Sequence, residues 1–236
     1  MITMNKHTVT KFDDELDEIR RRILLMAENV RRQVADALDG LTGNDIALIE
    51  KVIQGDKLVN QEEMELDERC IQLIARHAPQ ASDLRLVMTM MQMVTDLERV
   101  GDEAKKIAKA SRPIVEAESA FVPKIELRYV ANMAIDMLNG AMDAFARQDV
   151  SGTVEIARKD KEVDAIFKGI LRQLATFMME DPRLITRSLD VLFIAKAIER
   201  IGDHATNISE YVVFMVKGKD VRHSTLEALE QQINKA

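Results

Sequence analysis

Two stretches carry the same phrase: LERVGDEAKKIA at Leu97–Ala108 and IERIGDHATNIS at Ile198–Ser209. Both place Glu-Arg-x-Gly-Asp inside an aliphatic pattern, and Glu98 and Glu199 stand 101 residues apart. Apolar residues around each phrase recur every three to four positions, which predicts a helix. The same charged phrase on two helices predicts an internal duplication, and the flanking sequence extends it. Asp45 pairs with Asp149, and Asp56 with Asp160, both at a spacing of 104.

Working outward, each half holds three apolar stripes. The first half runs through Phe12, Ile23, Val30 and Leu38, then Ile49, Val59, Leu66 and Leu73, then Val87, Val94, Leu97 and Ile107. The second half runs through Val130, Met137 and Phe145, then Val163, Ile170 and Leu174, then Leu192, Ile198, Ile201 and Val212. Gly43 suits a helix C-cap, Asn44 or Asp45 and Ser82 suit N-caps, and Asp181 with Pro182 suits a helix start. The segment between Ser111 and Pro123 reads as the main linker. The predicted fold is all-α: two tandem three-helix bundles, residues 1–112 and 113–236, related by a pseudo-twofold. Each helix is expected to span roughly 25–35 residues, or about 40–50 Å. An up-down-up arrangement would bury the stripes.

Composition agrees with helices. Of 236 residues, 47% are hydrophobic, with nine Gly, four Pro and no Trp, so the frequent turns of a β-sandwich are not encoded. The net charge of −7 disfavours nucleic acid as a partner. A single cysteine, Cys70, excludes an internal disulfide and fits a reducing compartment. No run approaches the ~20 apolar residues of a membrane span, and MITMNKHTVTKFDDELDE lacks a signal-peptide core. These features predict a cytoplasmic protein with no membrane insertion. Fourteen methionines are numerous, and VMTMMQM packs four between Met88 and Met93. Flexible core filling is the favoured reading, an adaptable partner surface the alternative.

The chemistry concentrates in carboxylates. Glu98 and Asp102 lie four residues apart, as do Glu199 and Asp203, so each pair shares a helix face. Gly101 and Gly202 sit between them, where a close neighbour is expected because mid-helix Gly costs about 1 kcal/mol relative to Ala. Arg99 and Arg200 are expected to pair with an acid elsewhere. The second helix of each half is also acidic: Asp160 and Asp164 in one, Asp56 and Glu63 in the other, with Asn60 where Asp164 has its counterpart. Antiparallel packing would bring Asp160 and Asp164 opposite Glu199 and Asp203. Four such carboxylates repel unless protonated or bridged by a cation, and oxygen ligands suit hard ions. The alternative is plain solvated charge.

The paired phrases, in DLERVGDEAKKIAK and KAIERIGDHATNIS, resemble the PhoU family of accessory proteins of bacterial phosphate-specific transport, over about Phe12 to Lys217. The resemblance implies metal sites on E/D-x-x-x-D motifs, here Glu98, Asp102, Asp160, Asp164, Glu199 and Asp203. The candidate ions are Mg, Mn, Fe or Zn. Because Asn60 is neutral, the first site is expected to be the poorer. The resemblance also implies a regulatory adaptor, not an enzyme. It would restrain phosphate-starvation signalling, modulate phosphate uptake, and link the importer's ATPase subunit to a sensor histidine kinase, as a homodimer. No P-loop, nucleophile elbow or Rossmann glycine pattern opposes this.

Two other classes remain. A carboxylate-bridged metalloenzyme would use Glu-x-x-His pairs, which are absent. A phosphotransfer histidine has one candidate, His204, whose counterpart in the first half is Glu103; such a histidine is more often an ordinary solvated residue.

Overall fold

The computed structural model describes residues 4–117, 126–222 and 224–234. Helices α1 (Met4–Gly43), α2 (Ile46–His77) and α3 (Ser82–Glu116) form the first half. Helices α4 (Leu127–Arg147), α5 (Thr153–Glu180) and α6 (Ile185–Lys217) form the second, and α7 (Leu226–Asn234) follows. No strand occurs among the described residues.

The punctuation is mostly where the side chains dictate. Asp45 caps α2 by accepting from the Leu48 amide at 3.0 Å. The left-handed residue after α1 is Asn44 (φ 52°), with Gly43 still helical. Asp181 caps a single 3-10 turn, Pro182–Leu184, that leads into α6. Ser82 is not an N-cap but the first residue of α3. Ala81 holds the cap position at φ 50° with a methyl group that cannot cap, and the Ser82 hydroxyl donates to Asp83 at 3.4 Å.

Three further expectations are corrected. The linker does not begin at Ser111: α3 continues through Pro113 to Glu116. A proline in the last turn forfeits one intrahelical bond, whereas the turn before it stays anchored by the Ser111 hydroxyl donating to the Ile107 carbonyl at 2.8 Å. The rest of that predicted linker, from 118 to Pro123, lies outside the described residues. Helix lengths are less even than the repeat suggested, with 40 residues in α1 and 21 in α4. The nine-residue α7 was not anticipated; it packs on α5 through Leu229, 5% exposed, and an Arg158–Glu230 pair.

The predicted stripes are the core. Ile23, Val30, Val34, Ile49, Leu66, Val94, Leu97, Ile107, Met137, Phe145, Leu174, Ile198, Ile208 and Val212 are fully or almost fully buried. Met90 and Met93 fill the core, while Met88 is 46% exposed, so VMTMMQM divides between both readings. Within each half the last helix packs on the other two, α3 on α1 and α2, α6 on α4 and α5. Helices α3 and α6 also pack against each other along their length, so one apolar core runs through both halves. Their direction is antiparallel: Arg85 donates to the Met215 carbonyl at one end, Asp96 meets His204 near the middle, and Arg200 meets Glu103 beyond it. The last helix of each half therefore has no free outer face along this seam.

Candidate metal centre

Helices α5 and α6 pack side by side, and the i,i+4 rule puts two carboxylates of each on the shared edge. Asp164, Glu199 and Asp203 each offer one oxygen, and the three lie within 4.8 Å of one another. Glu199 is 9% exposed, Asp164 half-buried and Asp203 exposed, so the group sits at the rim of the bundle, open to water on one side.

Electrostatics show the strain of this convergence. Burial, then the charges of Glu199 and Asp160, push the Asp203 carboxyl up to about 6. Asp160 is also raised, first by burial and then by Asp164 and Glu199, with the Thr206 hydroxyl beside it working the other way. Two lysines reach the edge of the group. The Lys196 ammonium binds Glu199 and lies 5.3 Å over the Phe167 ring, and Lys168 approaches Asp164 at 4.0 Å. An all-oxygen donor set with one raised carboxyl fits a hard divalent or ferric ion, which would relieve the repulsion.

The first half holds its acids differently. Asp56, 3% exposed, is bound by the Lys105 ammonium at 2.6 Å, and the same ammonium lies 3.8 Å from Asp102. Glu98 is raised by burial, then by Asp102, Glu63 and Asp56. Asn60 buries its carbonyl oxygen without a partner. Among the described residues, the α5–α6 trio is the cluster where three acids converge; in the first half Lys105 bridges Asp56 and Asp102 instead. Lys105 was not singled out from sequence. The signal was present: 101 residues on, its counterpart is Thr206.

The close neighbour expected at both glycines is present at Gly101 and not at Gly202. A Cβ on Gly101 would stand 3.1 Å from Val59 and 3.5 Å from Val30. On Gly202 it would meet Met137 at 3.5 Å and Asp160 at 3.7 Å, which is ordinary contact. Arg200 finds its acid in Glu103 at 3.3 Å.

His204 is not a surface residue. It is 6% exposed, and its Nδ1 lies 2.6 Å from the carboxylate of buried Asp96 across the α3–α6 seam. Its Nε2 is also buried. A ring so enclosed is out of reach of a phosphodonor domain.

Matches with known proteins follow the same outline. The model of the PhoU domain matches twice, at residues 23–111 and 127–212. The chain belongs to the PhoU family. It is 41% identical over 231 residues to the phosphate-specific transport system accessory protein PhoU homolog of Pseudomonas putida, covering 98% of this chain and 90% of that one. It is 42% identical over 223 residues to the accessory protein PhoU of Escherichia coli, covering 94% and 92%. The crystal structure of PhoU from Pseudomonas aeruginosa superposes with a TM-score of 0.84 at 41% identity, over 88% of this chain and all of that one. The phosphate transport system regulatory protein PhoU from Streptococcus pneumoniae superposes at 0.82 with 30% identity, over 89% and 99%. The family's twice-matched domain is the duplication seen in the paired phrases. No described helix is long and apolar enough to cross a membrane.

Proposed function

We propose that this chain is a regulatory accessory protein of a phosphate-specific transport system, acting by contact rather than catalysis. The full-length likeness to accessory proteins of that name supports the reading. The observation that carries it is the form of the acidic group: three carboxylates at the rim of the bundle, Glu199 buried, Asp164 half-buried and Asp203 exposed, where a partner can reach them.

In this reading Asp164, Glu199 and Asp203 hold a divalent or ferric ion, with Asp160 behind them, and Glu98 and Asp102 form a weaker site because Lys105 already supplies a cation. When bound, the ion contributes positive charge at an otherwise acidic surface. Lys196, displaced from Glu199, becomes free to meet a partner. The partners are the importer's ATPase subunit and a sensor histidine kinase, reached from the cytoplasm. The protein restrains phosphate-starvation signalling when phosphate is plentiful. Exposed apolar side chains such as Leu58 and Met64 on α2, 70% and 72% exposed, would be covered in a homodimer.

The test pairs a phosphate-responsive reporter in cells with pull-downs on the ATPase and the kinase, using Glu199→Gln/Asp203→Asn. We expect derepression in high phosphate and weakened capture, with the helical spectrum unchanged. A reporter that stays repressed, with capture intact, would show that these acids are solvated charge and that control lies elsewhere.

A further inference from the structure

The 101-residue offset relates α3 to α6 position by position, and it also relates two grooves along their seam. One lies where Lys106, Lys109 and Ala110 of α3 face Phe193, Ala197 and Arg200 of α6, and encloses about 400 Å³. Its counterpart lies where Glu210, Tyr211 and Phe214 of α6 face Gln92 of α3, and encloses about 40 Å³. The two began as copies, yet one is open and one is filled.

The filling is traceable to three exchanges. Tyr211 stands where the open groove has Ala110, Glu210 where it has Lys109, and Gln92 where it has Phe193. Tyr211 is half-buried, its phenol pushed up to about 12 by burial and by the Asp96 carboxylate, so its ring occupies its own groove. The chain beyond α6 closes that groove further with Asp220 and Arg222. At the open copy no ring rises from Ala110, and Phe193 is left 60% exposed across the gap. An aromatic residue this exposed beside an apolar floor of alanines lacks the partner that its counterpart groove carries internally.

The rim of the open groove is basic in a protein of net charge −7. Lys106, Lys109, Lys196 and Arg200 line it, against Glu103 and Asp190. Both acids are already engaged: Glu103, 2% exposed, lies beneath the heads of Lys106 at 2.9 Å and Arg200 at 3.3 Å, and Asp190 meets Arg187 at 3.3 Å. The buried carboxylate holds two cations in place while their outer faces remain in water, with side chains 48% and 47% exposed. Such preset cations favour an anionic partner without paying to order their side chains on contact.

We propose that this groove is a docking site for a partner-protein segment presenting one aromatic side chain flanked by carboxylates. The ring seats on Ala110 and Ala197 against Phe193, restoring the packing that Tyr211 supplies in the other copy. The flanking carboxylates meet Lys106, Lys109 and Arg200. A free anion would use the cations but leave the apolar floor uncovered. The site requires no metal, so it stands or falls apart from the role proposed for the acidic trio.

The experiment uses the full chain and a fluorescein-labelled peptide, Gly-Ser-Glu-Asp-Tyr-Glu-Asp-Ser-Gly, followed by fluorescence anisotropy. We expect saturable binding with one site per chain, weakened at least about tenfold by Ala110→Tyr, by Lys109→Glu, or by replacing the peptide's Tyr with Ala. Ala110→Tyr copies a side chain that the fold accepts at the equivalent position, and Lys109 is exposed, so neither variant should disturb folding; circular dichroism checks both. No saturation by about 1 mM peptide would overturn the proposal. So would equal binding of the Tyr and Ala peptides, or displacement by inorganic phosphate at equal charge, since either reduces the site to electrostatics. Sedimentation in which Ala110→Tyr converts a dimer to a monomer would also overturn it, by assigning the groove to a second copy.

Discussion

The two acidic faces descend from one design and reach opposite solutions. In the first half the cation is covalently attached: Lys105 sits between Asp56 and Asp102. In the second, position 206 is threonine, Asn60's counterpart is Asp164, and the carboxylates converge with Asp203 pushed up to about 6. Lys196 reaches only Glu199, one turn away, where the first half has Thr95. So the exchange of one lysine and one threonine, each moved to the other end of the motif, separates two acids bridged by one lysine from a cluster whose lysines, Lys196 and Lys168, reach it only from the edge. A motif that is identical by spacing is thus not identical in its surroundings; what fills the space between the acids decides.

The largest effect should come from breaking the first network. Lys105→Met leaves Asp56 buried without its cation, and removing one partner of such a pair costs about 3 kcal/mol. Urea denaturation should show that loss, while Lys196→Met, which removes a lysine that is itself 46% exposed from Glu199 at the rim of the bundle, should cost less. Equal losses would erase the distinction between the two faces.

A smaller effect is expected from pH. Asp203 is raised to about 6 and Glu210, by burial and then by Asp220, to about 7, both above their unfolded values. A raised carboxyl binds more protons folded than unfolded, so its contribution is present below the unfolded value, near 4, and is lost as pH rises through 6 to 7. We expect stability without added metal to fall between pH 5 and pH 8 by on the order of 1 kcal/mol, less than the full shifts imply because Asp203 is partly solvated. Millimolar magnesium or manganese should shrink the Asp203 part of that fall. Asp203→Asn should remove the metal sensitivity and leave the Glu210 part. A flat profile would show that the convergence carries no electrostatic cost.

The smallest effect concerns the glycines. Gly202→Ala meets only ordinary contacts and should gain up to about 1 kcal/mol from helix propensity. Gly101→Ala presses on Val59 at 3.1 Å and should gain nothing or lose a few tenths. Thermal melts of the two variants in parallel read the difference, and matching shifts would mean that both glycines are equally crowded.

Much of this was legible in the residues because it rests on local periodicity. Stripes such as Val30–Val34–Leu38 need no partner to be recognised, and Asp45 announces a helix start by its own side chain. Of the four carboxylates expected to converge, Asp164, Glu199 and Asp203 do, because i,i+4 spacing on two neighbouring helices suffices to place them; Asp160 falls outside that trio. The course of α3 past Pro113 was not, since a proline reads as a stop whether or not the turn around it is held. Nor was the burial of His204. Its partner Asp96 lies 108 residues away and outside the repeated phrase, and nothing in either residue's neighbourhood marks a contact between the two halves. Lys105 escaped notice because a long side chain acts a turn or more from where it is written.

The seam between α3 and α6 has a consequence for the chain's history. Had two identical subunits met across it, every contact would appear twice: an Asp96–His204 link would oblige its mirror image. In the tandem chain the mirror positions are Ala197 and Glu103, and Glu103 is linked instead to Arg200. Joining the copies released each from having to match the other. One chain can therefore carry a lysine-bridged acidic face beside one whose carboxylates converge, and a sealed groove beside an open one, which a symmetric pair of identical subunits cannot.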